Sequence, residues 1–191
     1  MTDWHNRSHC NRTHVDKGAL HYFYGELKCR SLLDIGCGPG EMLNTALDIG
    51  YTCIAGVDGD PLFVSYDEVF VKGRAATMAR FKHDFLETEF VPPRTFDIAW
   101  CNEFLEHIPA DKMKNVWPCF EACKFAAVTA HPPTGKDNPF HFNEQGREYW
   151  IKEFTNRGWR YLRQMTEDVC AASTMKRNFF RDHGLVFRRD V

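Results

Sequence analysis

The chain has 191 residues, enough for one domain and cramped for two, since a single hydrophobic core usually serves roughly 100 to 200 residues. A hydrophobic fraction of 43% and a charged fraction of 26%, with 16 Phe and 5 Trp to fill a core, exclude a disordered chain. The balance of 24 basic against 26 acidic residues, a net charge of -2, gives no global electrostatic reason to expect nucleic acid as a partner and leaves only a local basic patch as a route to one.

The eight cysteines, Cys10, Cys29, Cys37, Cys53, Cys101, Cys119, Cys123 and Cys170, do not read as a disulfide framework. Thr2 to Asp16 is polar and charged, so no apolar signal run follows Met1, and Cys53 sits in the apolar run Thr52 to Val57 as a small buried hydrophobe would. Reduced thiols in a cytoplasmic protein are expected. No apolar stretch approaches the ~20 residues that a membrane span needs, so no membrane partner is expected.

Ser31 to Ile35 reads as a short buried strand that stops at Gly36, Gly38 and Gly40 and passes into a helix from Glu41 to Ile49, ended by Gly50. Tyr51 to Val57 is a second strand, followed by the turn-prone Asp58, Gly59, Asp60 and Pro61. Asp60 and Pro61 start a helix predicted to cover Pro61 to Val71, because aspartate accepts from free N–H groups and proline tolerates the first helical position. Strands are expected at Ala79 to His83, Thr95 to Cys101 and Lys124 to Ala130, with a helix from Asp111 to Cys123 that Pro118 would break or kink. The tail offers a helix from Asn143 to Arg157, a strand near Trp159 to Arg163 and a last strand near Leu185 to Arg189, while Gln164 to Asp182 carries few turn signals and stays unassigned. Strands alternating with helices imply a parallel sheet covered on both faces.

In an open α/β sheet a ligand binds beyond the carboxyl ends of the strands, where strand order reverses and the connections diverge. The first loop there runs Asp34, Ile35, Gly36, Cys37, Gly38, Pro39, Gly40, where missing Cβ atoms let backbone approach a ligand, although glycines also serve plain tight turns. Asp58 stands 22 residues beyond Gly36 at the end of the second strand, where a carboxylate can accept from both ribose hydroxyls. The third loop, Lys82 to Phe85, offers Asp84 to an adenine amino group beside the aromatic Phe85, though Asp84 equally suits a turn or helix cap. These loops together point to an adenosine ligand. A dinucleotide would need a third glycine where Glu41 stands, and a carboxylate there repels pyrophosphate. Asp34 and Glu41 suit a sulfonium and an ammonium instead, which favours S-adenosylmethionine over a nicotinamide cofactor.

The run Leu32 to Gly40 closely resembles the first motif of class I S-adenosylmethionine-dependent methyltransferases. Gly56 to Pro61 looks like the second motif of that family, and Phe96 to Trp100 through Glu106, His107 and Ile108 looks like its fourth-strand motif, so that the resemblance covers residues 18 to 191. It implies a three-layer Rossmann-like α/β sandwich whose seven-stranded, mostly parallel sheet has the order 3-2-1-4-5-7-6 with the seventh strand antiparallel. By the same resemblance Asp34 faces the methionine ammonium, Gly36, Cys37, Gly38 and Gly40 border the methionine and ribose, and Asp58 with Gly59 takes the ribose. Asp84 would meet the adenine amino group with Phe85 nearby, and Cys101 and Asn102 line the opposite wall.

A methyl group on sulfonium is already electrophilic, so binding and alignment supply most of the rate, and a hydroxyl or acidic-carbon acceptor adds the need for a base. His107 and His131, each at the end of a strand, are the candidates, with helix anchoring as the plainer role of His107. Glu106 is one carboxylate without a partner set, so no required metal is expected. His5, His9, Cys10 and His14 match no standard zinc module, and residues 1–30 are expected to be a helical segment packing over the cofactor site of a single domain, residues 1–191. Tyr22 to Tyr24 and Phe140 to Phe142 are core or substrate rim. The expected acceptor is an oxygen or carbon of a small molecule or sugar, handled by a monomer or homodimer. A catalytically silent S-adenosylmethionine-binding module is the alternative, and an NAD-dependent oxidoreductase is disfavoured by Glu41.

Overall fold

The computed structural model of the chain describes residues 14–60, 66–133, 135 and 138–190. Of the N-terminal segment expected to pack over the cofactor site, residues 1–13, with His5, His9 and Cys10, lie outside the described residues. Asp16 caps the helix α1 (Lys17–Gly25) by accepting from Ala19 N at 3.0 Å. Strand β1 (Ser31–Ile35) feeds through the glycine loop into α2 (Glu41–Ile49), which Gly50 ends in the left-handed conformation by donating to Ala46 O and Leu47 O. The chain continues through β2 (Cys53–Asp58), β3 (Tyr66–Phe70), β4 (Thr77–Lys82), β5 (Phe96–Cys101), a 3-10 stretch Ala110–Asn115, α3 (Trp117–Glu121) and β6 (Cys123–Val128). It closes with α4 (Arg147–Thr155), β7 (Trp159–Tyr161), α5 (Arg163–Ala172), α6 (Phe179–His183) and β8 (Leu185–Arg189).

The strands form one eight-stranded sheet in the order β3-β4-β2-β1-β5-β6-β8-β7. Pairings of β1 with β2 and β5, of β2 with β4 and of β5 with β6 are parallel, whereas β8 runs antiparallel to both β6 and β7. Without β3 this is the expected order with its antiparallel seventh strand. The eighth strand corrects the seven expected: Tyr66–Phe70 pairs antiparallel with β4 at the sheet edge, where a helix over Pro61 to Val71 was predicted. Tyr, Val and Phe in that segment favour the pleated surface, and pairing with β4 outweighs the helix-start signal of Asp60 and Pro61.

Successive side chains of a strand face opposite sides, and both faces of this sheet are buried. Leu32, Ile54, Ile98, Trp100, Ala127 and Val186 pack with α1, α2, α5 and α6 on one side. Leu33, Ala55, Ala99, Ala126 and Phe187 pack with α3 and α4 on the other, so the domain has three layers. The helix expected from Asp111 to Cys123 is split into the 3-10 stretch and α3, and Pro118 sits in the first turn of α3, where the missing N–H is no loss. The unassigned Gln164 to Asp182 folds as most of α5 and the start of α6, held by Val169 and Phe180 in the core. Among the described residues no helix is long and apolar enough to cross a membrane, and seven cysteines are free thiols.

Candidate functional site

Strand order reverses between β1 and β5, which places a crevice beyond Ile35 and Cys101. Gly36, Gly38 and Gly40 all have positive φ, at 75°, 49° and 88°, so the loop curls back, with Gly40 N donating to Cys37 O and Gly36 N to Val57 O. Gly36 is also required for space: a Cβ there would lie 2.6 Å from Cγ of Phe104, whose ring rests on the loop. Asp58 accepts from Gly38 N through Oδ2 and from Asp60 N through Oδ1, both at 2.8 Å, and so ties the first loop to the second.

Asp34 is 3% exposed, and its Oδ2 has no hydrogen-bond partner among the described residues. Burial pushes its carboxyl well above the usual carboxylate range, and the neighbouring Asp58 pushes it further. Asp84 Oδ1 accepts from Leu86 N at 2.9 Å, ordering the turn after β4, and Phe85 packs inside the core against His83 and Phe104. Gly59 lies so near this turn that a Cβ would stand 3.1 Å from His83 O. Cys101 is fully buried, and its thiol is raised by burial, then by the charges of Glu106 and Asp34.

Beyond β5 the chain builds a second cluster. Asn102 Oδ1 accepts from the Thr129 hydroxyl at 2.9 Å, and Glu103, held at a φ of 50°, donates its N–H to the same hydroxyl oxygen. The Glu103 carboxyl meets that hydroxyl through Oε1 at 2.8 Å and His131 Nδ1 through Oε2 at 3.5 Å. Burial keeps it above the ordinary range although Thr129 and His131 pull it down. Glu106 is 1% exposed, its Oε2 has no partner among the described residues, and burial followed by the charge of Glu103 pushes its carboxyl well up. Phe142 N and Asn143 N both donate to Glu106 O, which brings the segment around His141 against the β5 loop. His107 Nδ1 then stands 2.8 Å from Phe140 O, and the His107 and His141 rings lie edge to face at 4.8 Å.

The family described as a methyltransferase domain matches residues 9–118, more than half of the chain. The chain belongs to this family. Its sheet is the Rossmann-like fold shared with solved S-adenosylmethionine-dependent methyltransferases. Over 37 residues it is 54% identical to the ribosomal protein L11 methyltransferase of Xanthomonas axonopodis pv. citri (strain 306), a stretch that covers 19% of this chain and only 12% of that protein. The methyltransferase domain of bacterial CtHen1 is similar in fold, with a TM-score of 0.59 and 16% identity over 92% of this chain and 97% of that one. A SAM-dependent methyltransferase from Archaeoglobus fulgidus follows at a TM-score of 0.53 and 24% identity, over 73% and 63% of the two chains.

The methyltransferase's own residues fit that cofactor. A buried carboxyl at Asp34 whose Oδ2 has no partner among the described residues is the complement of a ligand carrying an ammonium and a sulfonium, and Glu41 in the first turn of α2 disfavours a phosphate at the same helix end. Sequence reasoning missed Arg80, whose Nη2 donates to Gly38 O at 3.3 Å from β4, and it missed Glu103, Thr129 and Glu144. A carboxylate three places before Glu106 was the one available signal for Glu103. Nothing local marks the others, because pairing between remote segments brings them in.

Proposed function

We propose that this methyltransferase transfers the methyl group of S-adenosylmethionine to an oxygen or acidic carbon of a small molecule or sugar. One observation carries the reading: the Phe104 ring against Gly36 sets the loop bearing Glu103, Glu106 and His107 directly beside the glycine loop. Proton-accepting groups at that position serve acceptors that must lose a proton as the methyl arrives. The bound cofactor supplies an electrophilic methyl group. Asp34 faces its ammonium, Gly36, Cys37, Gly38 and Gly40 border the methionine and ribose, and Asp58 with Gly59 takes the ribose hydroxyls. Asp84 accepts from the adenine amino group with Phe85 behind the turn, and Cys101 and Asn102 form the opposite wall. His131 is the general base, with Glu103 at 3.5 Å orienting its ring and stabilising the imidazolium. His107, whose Nδ1 is engaged by Phe140 O, holds the acceptor side of the crevice.

The described part of the N-terminal segment, residues 14–30, belongs to the same domain and closes over the cofactor side. Support comes from α1, which packs with α2 directly behind the glycine loop, where Asp16 N meets Met42 Sδ at 3.4 Å. The test is transfer of a labelled methyl group into a cell extract separated into small-molecule, protein and nucleic-acid fractions. Label on oxygen or carbon of a small molecule or sugar is expected. Label confined to protein or nucleic acid would overturn the acceptor reading.

A further inference from the structure

We infer that Glu106, His107 and His141 form a binding site for a divalent transition-metal ion on the acceptor side of the crevice. One potential ligand atom from each residue lies within 4.8 Å of the others, close enough for a single ion to gather all three. The second, independent observation is the Glu106 carboxyl itself, 1% exposed with Oε2 lacking any hydrogen-bond partner among the described residues. A carboxylate buried in that way needs a cation or a donor.

The hydrogen bonds around the two imidazoles select the metal-ligating tautomer. A backbone carbonyl only accepts, so the 2.8 Å bond from His107 Nδ1 to Phe140 O fixes the proton on Nδ1 and puts the lone pair of the neutral ring on Nε2. His141 Nδ1 stands 2.6 Å from Glu144 Oε1, the carboxylate–histidine pairing that orients a ligating ring and raises its basicity. A second set of residues, His131, His141 and Glu144, meets the same distance criterion. It is the weaker choice, because Glu144 already serves as the orienting partner of His141 and none of its members is a buried orphan.

Two imidazoles with one carboxylate favour manganese, iron, cobalt or zinc over magnesium or calcium, which prefer oxygen donors. Three protein ligands leave coordination positions open. From sequence, Glu106 stood without a partner set; the fold supplies one by pinning Phe142 N and Asn143 N to Glu106 O. On the proposed transfer to oxygen, on which this last step rests, an open position would take the acceptor oxygen and make its hydroxyl easier to deprotonate.

The test uses the full chain, stripped by chelator and titrated calorimetrically with Mn2+, with Mg2+ as competitor, while S-adenosylhomocysteine is titrated separately. One Mn2+ per chain is expected, with Mg2+ a poor competitor and imidazole nitrogen couplings in the pulsed EPR spectrum. Glu106→Gln and His141→Gln should abolish the ion, and Glu144→Gln should weaken it about 10- to 100-fold, with S-adenosylhomocysteine affinity kept in all three. No bound Mn2+, no imidazole coupling, or undiminished binding in both Glu106→Gln and His141→Gln would overturn the site. The EPR readout on the unmutated chain decides the matter even where a variant fails to fold. Loss of the ion site with S-adenosylhomocysteine still bound leaves the cofactor reading standing, and the reverse outcome sinks the cofactor reading alone.

Discussion

The ring of Phe104 fills the space where a side chain at Gly36 would begin, with Cγ 2.6 Å from the position of a Cβ. Two loops from neighbouring strands are thus packed against each other at the point where the sheet reverses its order. Gly36→Ala should fail twice, through the clash and through a φ of 75° that alanine resists. A loss of about 1–3 kcal/mol in denaturant unfolding is expected, with weaker S-adenosylhomocysteine binding. Adding Phe104→Ala should restore part of the stability by removing the ring from the clash while leaving the 2.9 Å contact with Phe104 Cβ and the φ penalty, and strict additivity of the two changes would show that the ring and loop do not couple.

Asp34 sets a pH dependence. Its folded-state pKa is raised by burial and then by Asp58, so in the free protein its contribution to stability is fully present below the unfolded value and is lost as pH rises through the folded one. A cationic ligand favours the ionised form. Cofactor affinity should therefore climb as pH rises above the ordinary carboxylate range, and binding in the lower part of that window should release a proton. Calorimetry in buffers of different ionisation enthalpy reads this directly. Asp34→Asn should bind more weakly, release no proton and show a flatter profile; an unchanged profile would remove Asp34 from the cofactor's charge balance.

How far the sequence revealed this architecture depends on where the decisive contacts lie. Ser31–Ile35, Glu41–Ile49 and Leu185–Arg189 fold with their expected boundaries, because hydrophobic runs and glycines mark both ends locally. Tyr66–Phe70 was misread because a strong helix-start signal was outweighed by pairing with β4, a tertiary effect. α5 has Leu162 as its N-cap with no side-chain hydrogen bond, so no local start signal was available. In the site, the glycine loop, Asp34 and Asp58 were readable as a motif. The gathering of His141 and Glu144 around Glu106 was not, since it follows from backbone bonds between segments far apart in the chain.

His131→Ala tests the proposed base. The ring stands by Glu103 at the end of β6, away from the glycine loop's own hydrogen bonds, so cofactor affinity should hold. With an acceptor in hand, kcat should fall about 10²- to 10⁴-fold. A fall of less than about threefold would assign proton removal elsewhere, because a positioned base contributes far more than that.

Asp97 governs acid stability from the opposite end of β5. Burial raises its carboxyl, but donors from Lys124, Arg30 and Ser31 outweigh that and hold it below the ordinary value. A depressed folded pKa gives stability that is present above the unfolded value near ~3.9 and lost as pH falls through the folded one. Asp97→Ala should cost about 1–3 kcal/mol at neutral pH by leaving buried donors unsatisfied. The gap between the two proteins in denaturant unfolding should begin to narrow as pH falls below ~4, where the unfolded chain takes up a proton, and close as the native carboxylate follows at lower pH.

Asp16 is fully buried and joins the first described helix to the end of α5. Oδ1 accepts from Ala19 N at 3.0 Å and from Thr174 N at 2.9 Å, and Oδ2 accepts from the Ser173 hydroxyl. Next to it, a Cβ at Gly18 would overlap Ala172 O and stand 2.9 Å from Thr174 Cγ2, so α1 seats directly on this corner. Asp16→Ala removes a helix cap worth about 1 kcal/mol and strands the Thr174 N–H and the Ser173 hydroxyl besides, so a total near 2–4 kcal/mol is expected in denaturant unfolding. Asp16→Asn should be milder. Its carbonyl keeps both backbone bonds, and the Ser173 hydroxyl can turn to accept from the amide. If α1 closes the cofactor side as proposed, Asp16→Ala should also weaken S-adenosylhomocysteine binding more than Asp16→Asn does; equal affinities alongside unequal stabilities would confine this corner to a structural role.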